Sequence, residues 1–256
     1  MLIKFDKVEP ARRFEGKHVL ITGGSSGIGF EIAREYLAEG ADVIITGRHE
    51  SSLREASQKL DSPRLKTMVW DVSDVKETSK LSEALSLLTR IDIFINNAGL
   101  YYENLWYRYD ESSYEKVTGT NTKGLFFLCQ CEGKYFVDNN IHGKIINICS
   151  IAGIKSGFDP YSVSKWGAVC ITKGLAKELV KYGIIVNGVA PGNVVTNIHN
   201  GVRGKNVEEN AYTPAHLTGR YTLVEEVAGM VLYLTSDLGS NIVGQVIAID
   251  GGWTLR

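Results

Sequence analysis

The sequence has almost no excess of charge: 28 Lys and Arg against 29 Asp and Glu leave a formal net charge of -1 over 256 residues. With no basic run either, no nucleic acid is expected as a partner. No apolar stretch is long enough to span a bilayer, so no membrane partner is expected. Met1 to Glu15 carries Lys4, Asp6, Lys7, Glu9, Arg12 and Arg13 and lacks the uninterrupted apolar segment of a secretion signal. It reads as an N-terminal extension. Only four cysteines occur, Cys129, Cys131, Cys149 and Cys170, inside apolar elements and without metal-ligand spacing. They read as reduced packing residues, so no metal site and a cytoplasmic location are expected. Linkers, repeats and low-complexity stretches are also missing, and residues 1–256 read as a single domain. At this length, with 44% hydrophobic residues, the chain can bury a full core.

What is present alternates. Apolar runs of strand length recur at Val19 to Thr22, Asp42 to Thr46, Leu65 to Trp70, Ile91 to Asn96, Lys144 to Cys149, Ile184 to Val189 and Gln245 to Ile249. Helical segments lie between them, and β-branched runs such as Ile184-Ile185-Val186 suit strands covered on both faces. The pattern predicts an α/β fold: a doubly wound, seven-stranded parallel sheet with helices on both faces. Thr222-Leu223-Val224-Glu225 has capping-box spacing and opens a last helix from Glu225 to Leu234.

The first strand runs straight into Gly23-Gly24-Ser25-Ser26-Gly27-Ile28-Gly29. A helix follows, with Ile28, Ile32 and Tyr36 on one face, and Gly40 ends it. Bare backbone and unpaired N–H groups at such a turn suit a pyrophosphate. Further on, Tyr161 precedes Lys165 by four positions at the start of an apolar helix, so both share one face. A phenol is a poor base at neutral pH, but a fixed ammonium beside it favours the phenolate. Two other stretches stand out. The aromatics Tyr101, Tyr102, Trp106, Tyr107 and Tyr109 read equally as a pocket wall or as a core or contact patch. Residues 197–218 are polar, with His199, Arg203, Tyr212 and His216, and read as a substrate lid.

The glycine turn, Asn96-Asn97-Ala98-Gly99, Tyr161-Ser-Val-Ser-Lys165 and Pro191-Gly192-Asn-Val194-Val-Thr196 occur in this order. With them the chain, from Lys17 to Trp253, resembles the short-chain dehydrogenase/reductase family in its single-domain, Rossmann-fold branch. The resemblance implies a nicotinamide-dependent oxidoreductase that interconverts a carbonyl and a secondary alcohol by hydride transfer, on a small-molecule substrate, as a homotetramer. It also implies a catalytic set of Asn121, Ser150, Tyr161 and Lys165. Tyr161 is the general acid/base, Ser150 holds the reacting oxygen, Lys165 supports the phenolate and the ribose, and Asn121 anchors a water linking Lys165 to solvent. Ten residues separate Ser150 from Tyr161, about two fewer than in many family members. Cys149 is the alternative to Ser150, although a hydroxyl suits the hydrogen bond better than a thiol.

For the cofactor, the resemblance implies contacts from Gly23, Ser25, Ser26, Gly27, Ile28 and Gly29. Asp71 and Val72 would meet the adenine, Asn97, Ala98 and Gly99 the adenosine side, and Pro191, Gly192, Val194 and Thr196 the nicotinamide end, beside Tyr161 and Lys165. After the second strand Gly47 stands where an acid would hold the ribose 2′-OH, and Arg48 follows it. A 2′-phosphate fits there, so NADP is expected ahead of NAD. A non-catalytic dinucleotide-sensing or scaffolding protein on the same fold is the alternative, but it would have no use for Tyr161 and Lys165 together. An epimerase or dehydratase of the extended relatives would need a larger C-terminal substrate domain.

Overall fold

The computed structural model describes residues 12–76, 80–194, 196 and 213–256. Seven strands form one parallel sheet: β1 (His18–Thr22), β2 (Asp42–Gly47), β3 (Leu65–Val69), β4 (Ile93–Asn96), β5 (Lys144–Ile148), β6 (Ile185–Pro191) and β7 (Val246–Ile249). Their order is β3-β2-β1-β4-β5-β6-β7. The helices among the described residues are α1 (Gly27–Ala38), α2 (Glu50–Leu60), α3 (Lys80–Leu87), α4 (Glu111–Thr118), α5 (Leu125–Asp138), α6 (Pro160–Leu179) and α7 (Val224–Thr235). None is long and apolar enough to cross a membrane.

Strand alternation explains the two cores. On β1, Val19 and Ile21 enter one core with Val43, Ile45, Ile93 and Ile95, while Leu20 enters the other with Ile44, Phe94, Ile145 and Val186. Both faces are buried, which is why these strands read as continuous apolar runs rather than as alternating ones. Helices α1 and α7 cover the first face. Ile32 and Tyr36 are fully buried, and the Tyr36 hydroxyl meets Thr235 Oγ1 on α7 at 2.6 Å. Each such side chain contributes about 1.5–3 kcal/mol of burial. Burial also pushes the Tyr36 phenol well up, so it stays neutral.

Boundaries shift slightly from the sequence reading. Trp70, Ile91, Cys149 and Gln245 fall outside the ladders, and β6 continues to Pro191. The last helix begins one residue early. Leu223 N donates to Glu226 Oε2 at 2.8 Å, so the reach-back carboxylate is Glu226 rather than Glu225. Arg220 grips the same carboxylate with both guanidinium nitrogens, and Thr222 Oγ1 donates to Ile249 O instead of capping.

Of the cysteines, Cys129 and Cys149 are buried as expected, but Cys170 is exposed on α6. The expected N-terminal extension lies outside the described residues up to position 11, and the expected lid does so over 197–212. His216, read as part of that surface excursion, is buried: its Nε2 accepts from Asn193 N at 3.2 Å and its ring lies beside Trp253 and Tyr221.

Candidate active site

From β1 the chain winds outward through β2 and β3, then returns to β4 on the other side of β1. The crossovers therefore part at the carboxyl ends of β1 and β4, the place where open α/β sheets bind ligands. A cleft of about 450 Å³ opens there. Register pairs Thr22 with Asn96 and Asn96 with Asn147, so the loops after β1, β4 and β5 leave the sheet at one level.

The glycine turn is shaped by its neighbours. Gly23 has φ +66, and a Cβ on it would sit 2.9 Å from Ala98 Cα. A Cβ on Gly29 would overlap Asn97 Nδ2. Asn97 in turn donates from Nδ2 to Thr22 O at 3.0 Å and to Gly23 O at 2.9 Å. Thr22 Oγ1 accepts from both Asn97 N and Ala98 N at 3.1 Å. A Cβ on Gly27, at φ +57, would meet only Thr196 among the described residues, at 3.4 Å. Ser26 places no side-chain cap on α1, whose first turn holds no acid. The positive end of that helix is thus left for an anion, and the cradle fits a dinucleotide pyrophosphate.

On the far wall, Asp159 caps α6: its Oδ1 accepts from Ser162 N at 2.8 Å, and Pro160 occupies the first turn. This start presents Tyr161 and, one turn on, Lys165 to the cleft. Lys165 Nζ is buried, donates to Ile148 O at 2.8 Å, and lies 5.7 Å from the Tyr161 ring centroid. Ser150 ends the β5 exit. Its Oγ accepts from Ala152 N at 3.1 Å, which leaves its own O–H free to donate. Cys149 Sγ turns the other way, 3.8 Å from Thr172 Oγ1 on α6.

Of the expected catalytic and cofactor-binding residues, all of them described, Gly29 and Asn121 stand behind the cleft wall and the others line it. Asn121 sits in a π-helical turn, Gly119–Gly124, rather than in a regular helix. Its amide clasps Leu100 through both N and O at 2.8 Å and donates to Ser164 Oγ at 3.0 Å. Ser164 Oγ donates to Tyr161 O at 2.7 Å, so Asn121 reaches the tyrosine through one hydroxyl. Arg48 lines the cleft, exposed and without an ion pair among the described residues. Asp71 Oδ1 accepts from Ser73 N and Oγ at 2.9 and 2.7 Å. The aromatic cluster divides: Tyr101 lines the cleft edge-on to Tyr161 at 5.0 Å, while Tyr102, Trp106 and Tyr107 are exposed. The parts played by Thr22 and Ser164 escaped the sequence reading, since a strand-end threonine and a helical serine carry no signal of their own.

Fold and cleft together define a dinucleotide-binding α/β protein. Comparison with known proteins narrows the class: the sequence profile of the short chain dehydrogenase family matches residues 17–206. The chain is 37% identical to a 3-oxoacyl-(acyl-carrier-protein) reductase of Thermotoga maritima, over 94% of this chain and 98% of that one. It is 31% identical to gluconate 5-dehydrogenase of Gluconobacter oxydans, over 94% and 95%. A short-chain dehydrogenase/reductase crystal structure from Mycobacterium marinum superposes with a TM-score of 0.86 at 30% identity, over 95% and 97% of the two chains. The protein belongs to the short-chain dehydrogenase family and is an oxidoreductase of the kind that uses a nicotinamide cofactor.

Proposed function

We propose that the protein is an NADP(H)-dependent oxidoreductase that interconverts a carbonyl and a secondary alcohol on a small hydroxylated or anionic substrate, with Tyr161 as general acid/base. One observation carries the reading: a buried ammonium, Lys165, spends a single N–H on the described residues, at Ile148 O, and lies beside a cleft-facing phenol. Two N–H groups remain for ribose hydroxyls. A bound nicotinamide supplies or takes up the hydride. Tyr161 gives its proton to the carbonyl oxygen, or takes it from the alcohol in reverse. The unspent O–H of Ser150 fixes the same oxygen, and the bond strengthens as negative charge grows there. Asn121 has committed its amide protons to Leu100 and Ser164, leaving an acceptor lone pair for a water toward Lys165. A dinucleotide sensor would need none of this.

The substrate class is supported by the polar sequence of 197–218 and by the gluconate-type names of two relatives, that of Gluconobacter oxydans and a 2-dehydro-3-deoxy-D-gluconate 5-dehydrogenase of Bacillus subtilis. A panel of keto sugar acids and a 3-oxoacyl thioester, followed by NADPH absorbance, tests it. Preference for the thioester would remove the substrate class, and turnover of nothing would remove the enzyme. Exposed Phe126, Phe127 and Trp166 along α5 and α6 support a homo-oligomer, read here as a tetramer.

Arg48 at the 2′ position should favour NADPH over NADH by about 1.5–3 kcal/mol, roughly ten- to a hundredfold in affinity. The double variant Gly47→Asp with Arg48→Ala inverts the preference. A Cβ at Gly47 makes only ordinary contacts with Leu53 and Ser25 at 3.4 and 3.5 Å, so the carboxylate is accommodated. Fluorescence titration with both cofactors at fixed salt measures this. Tighter NADH binding by the unmodified protein would withdraw the NADP assignment.

Ser150→Ala should lower kcat more than it raises KM. Cys149→Ala should do neither, because its sulfur faces Thr172. The opposite ranking would pass the role to the cysteine.

A further inference from the structure

Beneath the site lies a polar cluster that the reaction does not use. Glu132 on α5 is completely buried, as are Asn147 on β5 and Thr172 on α6, with Asn96 on β4 nearly so. Asn96 Nδ2 donates to Glu132 Oε2 at 2.9 Å and to Asn147 Oδ1 at 3.0 Å. Asn147 Nδ2 donates to Thr172 Oγ1 at 2.9 Å, and that hydroxyl donates to Ala168 O at 2.7 Å. Two buried atoms are left without partners, Glu132 Oε1 and Asn96 Oδ1. Both are acceptors, and they belong to the carboxyl and amide already joined through Oε2 and Nδ2. Buried polar atoms are almost always paired, and a carboxylic acid facing a primary amide pairs by two hydrogen bonds at once. One proton on Glu132 Oε1, donated to Asn96 Oδ1, would satisfy both orphans.

We propose that Glu132 is a positioning residue, its carboxyl carrying a proton and locked to Asn96 as an acid–amide pair that fixes the ends of β4 and β5 beneath the cofactor turn and Lys165. The connection is short on both strands. Asn96 precedes Asn97, which holds Thr22 and Gly23 by their carbonyls. Asn147 precedes Ile148, whose carbonyl receives Lys165. Burial pushes the Glu132 carboxyl up to about 8, more than the Asn96 bond lowers it. The other titratable groups facing the cluster among the described residues are thiols. Cys129 and Cys131 on α5 are raised by burial and by Glu132, and Cys149 at the end of β5, against Thr172, is raised by burial although Lys165 lowers it. Asn96 is the contribution of β4, and no cation pairs with Glu132 among the described residues.

The test compares Glu132→Gln, which keeps the shape and both bonds without a titrating group, with Glu132→Met, which keeps volume and loses both bonds. The kcat readout rests on the proposed roles of Tyr161 and Lys165; the thermal readout does not. The folded-state value lies above the unfolded value of 4.5, so the carboxyl's contribution is complete below that pH and is lost as pH rises toward about 8. The Tm of the wild type should therefore fall relative to Glu132→Gln between roughly pH 5 and 8 and run parallel above. At pH 7 Glu132→Gln should keep kcat within about twofold, while Glu132→Met loses roughly tenfold or more. Parallel Tm curves throughout, Glu132→Gln as impaired as Glu132→Met, or an unimpaired Glu132→Met would each overturn the proposal. Should Glu132→Met fail to fold, the two readouts on Glu132→Gln still decide.

Discussion

Tyr161→Phe is expected to leave a folded protein that binds its cofactor and turns over about 10² to 10⁴ times more slowly. The ring carries the packing, edge-on to Tyr101 at 5.0 Å with Lys165 Nζ at 5.7 Å from its centroid, and the substitution keeps it. What goes is the proton. Ser150 cannot replace it, since an aliphatic hydroxyl held by Ala152 N can share a hydrogen bond with the reacting oxygen but is a far weaker acid than a phenol. Steady-state kcat on the best panel substrate, with a cofactor titration on the same sample, measures both halves. Retention of half the wild-type kcat would exclude Tyr161 as the acid, and lost cofactor affinity would mean that the hydroxyl serves binding instead.

Gly153→Ala should cost about 10²-fold in kcat while changing no reacting group. Gly153 lies in the short 3₁₀ turn Ile151–Gly153 after Ser150, pressed on the first turns of α6. A Cβ there would fall 2.6 Å from the carbonyl carbon of Lys165 and 3.1 Å from Trp166 N. Both are backbone and cannot swing away, so the serine turn and the tyrosine helix must move apart. A displacement of about 1 Å is enough for that loss, with about 1–3 kcal/mol of stability lost as well. Gly174→Ala is the control: on the same helix, with nothing within 4 Å of a new Cβ, it should be neutral or stabilising by about 0.5–1 kcal/mol. Wild-type kcat in Gly153→Ala would show that the turn and the helix are not mechanically linked.

The sheet was legible because strands packed on both faces leave long β-branched runs, and the glycine turn because its neighbours leave no room for a Cβ. Other features follow from tertiary contacts that no local pattern encodes. Thr222 and Glu225 have the spacing of a capping box, yet Ile249 O draws Thr222 away and Arg220 fixes Glu226. Asn121 belongs to the expected catalytic set, but nothing in its neighbours tells that the helix widens there into a π-turn around its grip on Leu100. His216 reads as loop polarity and is buried because Asn193 N needs an acceptor. Glu132, between Cys131 and Gly133, carries no local signal of its own; the depth of β4 and β5 behind α5 makes it dry.

The clasp of Asn97 on the glycine turn bears on the order of assembly. Asn97 follows Gly23 by 74 positions, and the turn reaches its shape against the side chain and backbone that arrive with β4. A nascent chain ending before β4 would hold the first strand, the glycines and the first helix, yet no template to close them. Nucleotide capture therefore waits for a long-range pairing, a slow kind of folding event. Once formed, ligand and sheet support each other: a dinucleotide bound to the native state stabilises the β1–β4 seam as a unit rather than one local loop.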